Sequence, residues 1–173
     1  MSTNIEVRFA TKNDYSAIKG AERKIIEILK RKGIREWYLG NIAQSLERNN
    51  GQCILATRNK EILGVICLDD ANEKKIQELF PKYNMKTGLR VASIIVLPSK
   101  FRREVSHSLI EYARGYAEEN DKNCFFGAVH PDDRVVNLSL ALHLKNIEIT
   151  DETFPVMLGD EKISQCRYFL GGI

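Results

Sequence analysis

The run Val96-Leu97-Pro98-Ser99-Lys100-Phe101-Arg102-Arg103-Glu104-Val105-Ser106-His107-Ser108-Leu109-Ile110 changes character three times. It starts as an apolar strand, breaks at Pro98, turns basic, and then takes up helical spacing of apolar residues. A strand that feeds a basic turn and a helix start offers unpaired amides and the positive end of the helix dipole, which together hold phosphate groups. Turns built for that purpose usually carry glycines, which let the backbone come close to the anion. None lies between Val96 and Ile110.

The rest of the composition sets bounds on what that turn can serve. The chain has 173 residues, of which 43% are hydrophobic and 28% charged, enough to bury the core of one globular domain spanning 1–173. A net charge of +3 with no long Lys/Arg run or aromatic-basic stripe gives no warrant for nucleic-acid binding. The basic residues between Lys19 and Arg35 alternate with Glu22, Glu27 and apolar positions, the pattern of a solvated helix face. Cys53, Cys67, Cys124 and Cys166 are scattered in apolar runs, so buried reduced thiols are expected, with neither a metal site nor a disulfide framework. The start MSTNIEVRF has no apolar signal core, and no apolar run is long enough to span a bilayer. A cytoplasmic, non-membrane protein is expected.

Outward from the opening stretch, periodicity orders the remaining elements. Ile5, Val7 and Phe9 alternate as a strand, and Tyr15, Ile18, Ala21, Ile25, Ile26 and Leu29 repeat as a helix up to Gly33. A second helix is expected around Trp37, Ile42 and Leu46, ended by a turn at Asn49-Asn50-Gly51. Gln52–Thr57 and Ile62–Leu68 read as a hairpin around a polar turn at Arg58–Glu61. Asp69–Gly88 is a polar insert with a short helix near Ile76–Leu79, stopped by Pro81. Then come strand Leu89–Leu97, helix Arg103–Glu119, strand Cys124–Val129, helix Val135–Lys145, and strands at Ile147–Thr150 and Ser164–Leu170. The order β-α-α-β-β-β-α-β-α-β-β predicts one α/β (α+β) domain with a mixed, mostly antiparallel central sheet and about four flanking helices.

Three segments, in order, resemble the GCN5-related N-acetyltransferase (GNAT) superfamily: ILATRNKEILGVICL, RVASIIVLPSKFRREVSHSLIEYARGYAEEN and VHPDDRVVNLSLALHLKNIEI. The resemblance implies that acyl-CoA, most simply acetyl-CoA, lies between strands Leu89–Leu97 and Cys124–Val129. Backbone groups at Ile95, Val96 and Leu97 would hold its pantetheine arm. The turn and helix start at Arg102, Arg103, Val105, Ser106, His107 and Ser108 would hold its pyrophosphate, and Asn137 would steady the arm or simply cap a helix. Relatives show Arg/Gln-x-x-Gly-x-Gly/Ala in this turn, whereas here the run has no glycine and is about one residue short. The later "N-x-x-S…K-x-G-F" pattern also departs, to Asn137-Leu138-Ser139 and Lys145-Asn146-Ile147-Glu148.

Aminolysis of a thioester needs a neutral amine, a polarised carbonyl and an acid for the leaving thiolate. His143 stands where relatives often place the tyrosine that protonates the sulfur, although a packing role fits it too. No acid lies in the Arg90–Leu97 strand, where many relatives keep a glutamate. Asp69, Asp70 and Glu73 could face an incoming amine, or form a solvated turn. The expected activity is N-acyl transfer from acyl-CoA to a primary amine on a small molecule or a protein. A non-catalytic module binding CoA or a protein partner is the alternative, and the strand near Ser164–Leu170 is an edge that could pair two chains.

Overall fold

The computed structural model describes residues 4–31, 51–70, 74–129, 145–158 and 161–173. The expected helices over 37–46 and 135–144 lie outside them. The elements are β1 (Glu6–Phe9), α1 (Tyr15–Arg31), β2 (Gly51–Arg58), β3 (Glu61–Asp69), α2 (Lys74–Leu79), β4 (Gly88–Val96), α3 (Arg102–Glu119), β5 (Cys124–Val129), β6 (Lys145–Leu158) and β7 (Glu161–Gly172), with 3-10 turns at Lys12–Asp14 and Phe80–Tyr83. They form the expected mixed α/β fold. Seven strands make one sheet in the order β1-β2-β3-β4-β5-β7-β6. Among the described residues three α-helices accompany it, against an expectation of about four. The chain falls into two compact units, Met1–Asp69 with Val91–Gly115, and Asp70–Arg90 with Tyr116–Ile173.

In the first unit the hairpin β2–β3 turns on Asn59 and Lys60, with φ of 50° and 67°. Two left-handed residues in a two-residue loop match the twist of the strands they join. Gly51, expected in a turn, is instead the first residue of β2, opposite Asp69, which closes β3 rather than opening the insert. The register then shifts, with Ala56 opposite Gly64 but Thr57 opposite Ile62, so Leu63 is an extra residue in β3. Gly64 is there because nothing larger fits. A Cβ on it would lie 2.8 Å from Val105 Cγ1, 2.9 Å from Leu109 Cδ1 and 3.0 Å from the backbone oxygen of Ile95.

The core of this unit joins Ile18, Ala21 and Ile25 of α1 to Leu55, Val65, Ile95 and Leu97. The helical spacing of the first three places them on one face. Each fully buried isoleucine contributes about 2 kcal/mol from water exclusion. Within that core Cys53 and Cys67 are directly opposed on β2 and β3 and joined as a disulfide. This corrects the expectation of reduced thiols for these two, whereas Cys124 is a free, buried thiol as expected. Pairing register brings these cysteines together, and register is invisible in their scattered spacing.

In the second unit the insert folds as α2 and its 3-10 turn. Ile76, Leu79 and Phe80 pack with Cys124, Phe126 and Leu170, with Tyr83 and Met85 against them. Burial pushes the Cys124 thiol up to about 12. β4 and β5 run parallel through Gly88↔Cys124, Leu89↔Phe125 and Arg90↔Phe126. β7 pairs with β5 on one side and with β6 on the other. The Ser164–Leu170 strand is therefore interior and not an edge, since both of its hydrogen-bonding sides are used. β6 is also far longer than the expected Ile147–Thr150, and Lys145 is a strand residue, not a helix end. Its register slips between Lys145/Glu148, Ile149/Thr153 and Phe154/Val156, and each slip breaks the two-residue alternation that reveals a strand.

Candidate functional site

The turn between β4 and α3 lies wholly in the first unit. Leu97, the first residue past β4, donates its amide to Leu63 O at 2.8 Å. Ile95 and Leu97 bury their side chains in the core, while Val96 is half-buried. What these residues can offer a ligand is backbone, as expected, and for Leu97 the N–H is already used. Ser99 then organises the bend. Its Oγ accepts the Phe101 amide at 3.2 Å, and its carbonyl accepts the Arg102 amide at 3.2 Å.

The helix begins at once. Val105 donates its amide to Phe101 O at 2.8 Å, and the amides beyond it belong to the regular ladder of α3. Val105 is completely buried and Ser106 is 7% exposed, with Ser106 Oγ donating to Arg103 O at 3.0 Å. Both therefore face the protein. Arg102, Arg103 and His107 are exposed and Ser108 is half-buried on the first two helical turns. An Arg103–Ser108 loop of converging amides, the glycine-rich arrangement, is absent here because the backbone is helical from Arg102.

In place of glycines the turn gathers cations. The Arg58 guanidinium, brought in from the end of β2, sits 4.3 Å from the centroid of the Phe101 ring, and Lys100 Nζ is 5.1 Å from it. Phe101 thus holds two positive groups beside the start of α3, and Arg102 and Arg103 follow it directly. Charge-assisted bonds from such groups, added to the helix dipole, suit a pyrophosphate. Glu104 is the one acidic residue of the first turn. Sequence reasoning missed Arg58 and Lys100. Lys100 sits in the quoted basic run and could have been counted with it, whereas Arg58 is 43 positions from Phe101 and carries no local signal.

The other expected residues are dispersed. Asp69 closes β3, and Asp70 pairs with Lys122 at 2.8 Å. Glu73, Asn137 and the expected acid His143 lie outside the described residues.

No protein-family description matches the sequence, and no curated protein does. Solved structures match it in fold over nearly the whole length. Arabidopsis thaliana NAA60 in complex with a bisubstrate analogue aligns with a TM-score of 0.70 at 15% identity, covering 98% of each chain. A GNAT-family acetyltransferase from Listeria monocytogenes aligns at 0.66 and 13% identity, over 100% of this chain and 99% of that one. The ribosomal-protein-S18-alanine N-acetyltransferase of Escherichia coli aligns at 0.65 with 8% identity, over 98% and 94%. The chain has the GNAT fold.

Proposed function

We propose, with that fold as the premise, that residues 1–173 act as one acyltransferase domain that moves an acetyl or related acyl group from acyl-CoA to a primary amine. The amine forms a C–N bond to the thioester carbonyl, the C–S bond breaks, and the amine's proton leaves to a base as the thiolate gains one. The observation that supports this reading is the cation-lined turn at the end of β4, with Arg58, Lys100, Arg102 and Arg103 around the start of an 18-residue helix. These four hold the pyrophosphate in this reading. His107 and Ser108 flank it, and Val105 and Ser106 set the helix against the core. The backbone of Ile95, Val96 and Leu97, with Asn137, takes the pantetheine arm. His143 is the acid for the leaving sulfur, and Asp69 and Glu73 are the acids left for the acceptor, because Asp70 is already paired with Lys122.

The test begins with binding. Acetyl-CoA should raise the melting temperature, as any ligand confined to the native state does. Replacing Arg102 and Arg103 together by Ala should weaken its affinity by about tenfold or more, from the worth of charge-assisted bonds. No stabilisation at millimolar acetyl-CoA would sink the proposal. Release of free CoA across a panel of small and peptide amines then reads turnover, and His143→Phe should lower kcat more than it changes acetyl-CoA affinity. An unchanged kcat would remove His143 from the chemistry.

A second reading is a GNAT-fold module that binds CoA or a partner without turnover. The regular helix at Arg103–Ser108, which replaces a close-fitting glycine loop, favours it. Binding of acetyl-CoA with no CoA release over the whole amine panel would establish it over the first.

A further inference from the structure

A cavity of about 780 Å³ lies within the second unit, where the insert meets the beginnings of β4 and β5. We infer that it is a binding site for a small organic anion with an apolar body, separate from the acyl-CoA turn and independent of the acyltransferase reading. That volume falls in the usual range for small-molecule sites, about 300–1,000 Å³, which combine apolar walls with a few placed polar groups. Phe80, Pro81 and Met85 supply the apolar wall. Gly88 lies on it as well, at the first residue of β4, while the basic turn follows the last residue of that strand.

Among the described residues the charge comes from three side chains, Asp70, Lys86 and Lys122. Asp70 Oδ1 already pairs with Lys122 Nζ at 2.8 Å, and Lys122 is the more buried partner, 23% exposed against 63%. Asp70 is thus a poor handle for an incoming amine. The described lining residues sum to one net positive charge, which favours a monoanion. Thr87 does not compete for it, because its hydroxyl donates to Asp121 O at 2.7 Å.

The rim is held in shape before any ligand arrives. Asn123 Oδ1 accepts the amides of Lys86 and Thr87 at 3.2 and 3.1 Å, so one side chain fixes the approach to β4. On the other side α3 ends in a left-handed Asp121, with Asp121 N on Glu118 O at 3.1 Å and Lys122 N on Ala117 O at 2.9 Å. This pair of bonds is a Schellman motif, and it sets the backbone from which Lys122 projects. A rim ordered in advance spares a ligand the entropy of ordering it.

The experiment compares benzoate, benzylamine and benzyl alcohol, which share a ring and differ in charge, by amide chemical shifts on the full chain. Benzoate should shift Thr87, Gly88 and Lys122 and bind at least tenfold more tightly than the other two. Lys86→Gln, an exposed change away from the basic turn, should weaken benzoate by about tenfold and leave benzyl alcohol unchanged. Saturating acetyl-CoA should leave the benzoate shifts in place. Tighter binding of benzylamine, no benzoate shift at these residues, equal benzoate affinity of the Lys86→Gln protein, or displacement by acetyl-CoA would each overturn the inference. None of these outcomes depends on whether the chain acylates an amine.

Discussion

Gly64 shows how one position can tie together three elements. It lies in β3, yet the atoms that deny it a Cβ belong to α3 and to the backbone of β4. Two of those neighbours, Val105 and Leu109, are wholly buried and have no room to yield. Gly64→Ala should therefore cost about 1–3 kcal/mol, as overpacking does in a close-packed core. A urea titration measures it, and an unchanged midpoint would show that α3 can move away from the sheet. Because Val105 is in the first turn of that helix, the same glycine also sets where the basic turn begins.

At the scale of elements, the β2–β3 hairpin and the entry to α1 carry their own strain and support. Lys60 holds φ at 67°, a conformation in which a side chain crowds its own carbonyl. Lys60→Gly should stabilise the protein by about 0.5–1 kcal/mol, the steric relief being partly offset by the freer unfolded chain. A lower denaturation midpoint would contradict this. At the α1 entry Asp14 accepts both Arg8 nitrogens at 2.8 Å, the Thr11 amide at 2.7 Å and the Thr11 hydroxyl at 2.9 Å. Those bonds, with Arg8 foremost, hold the Asp14 carboxyl well below the usual carboxylate range. A carboxylate depressed in the folded state stabilises above its unfolded pKa, near 4, and loses that contribution as pH falls toward its folded value. Asp14→Asn should thus cost about 1 kcal/mol at pH 7, discounted because Arg8 is partly exposed, and the gap to wild type should begin to narrow below about pH 4 and go on narrowing toward the folded value. Stability curves of both proteins against pH check it, and a gap that stays the same from pH 7 down to pH 2 would deny the carboxylate that role.

Taken whole, the molecule places its chemistry-bearing groups by pairing and packing more than by local sequence. Cys53 and Cys67 meet through register, Arg58 reaches Phe101 from the end of β2, two strands away in the sheet from β4, and Asp70 finds Lys122 across the second unit. The sequence by itself determined the order of the described strands and helices, the helical face of α1, the strand-turn-helix at Val96–Ile110 and, through them, the fold. Those features are written in residues a few positions apart, where side-chain period and turn chemistry act directly. It also showed that the turn had exchanged glycines for charge. Only the tertiary structure decided that helix starts at Arg102, that Val105 and Ser106 point inward, that β7 is interior, and that Arg58 joins the cation cluster. It alone revealed the cavity beneath the insert. Register, burial and through-space charge each depend on residues tens of positions apart, and short-range periodicity carries no record of which of them will meet.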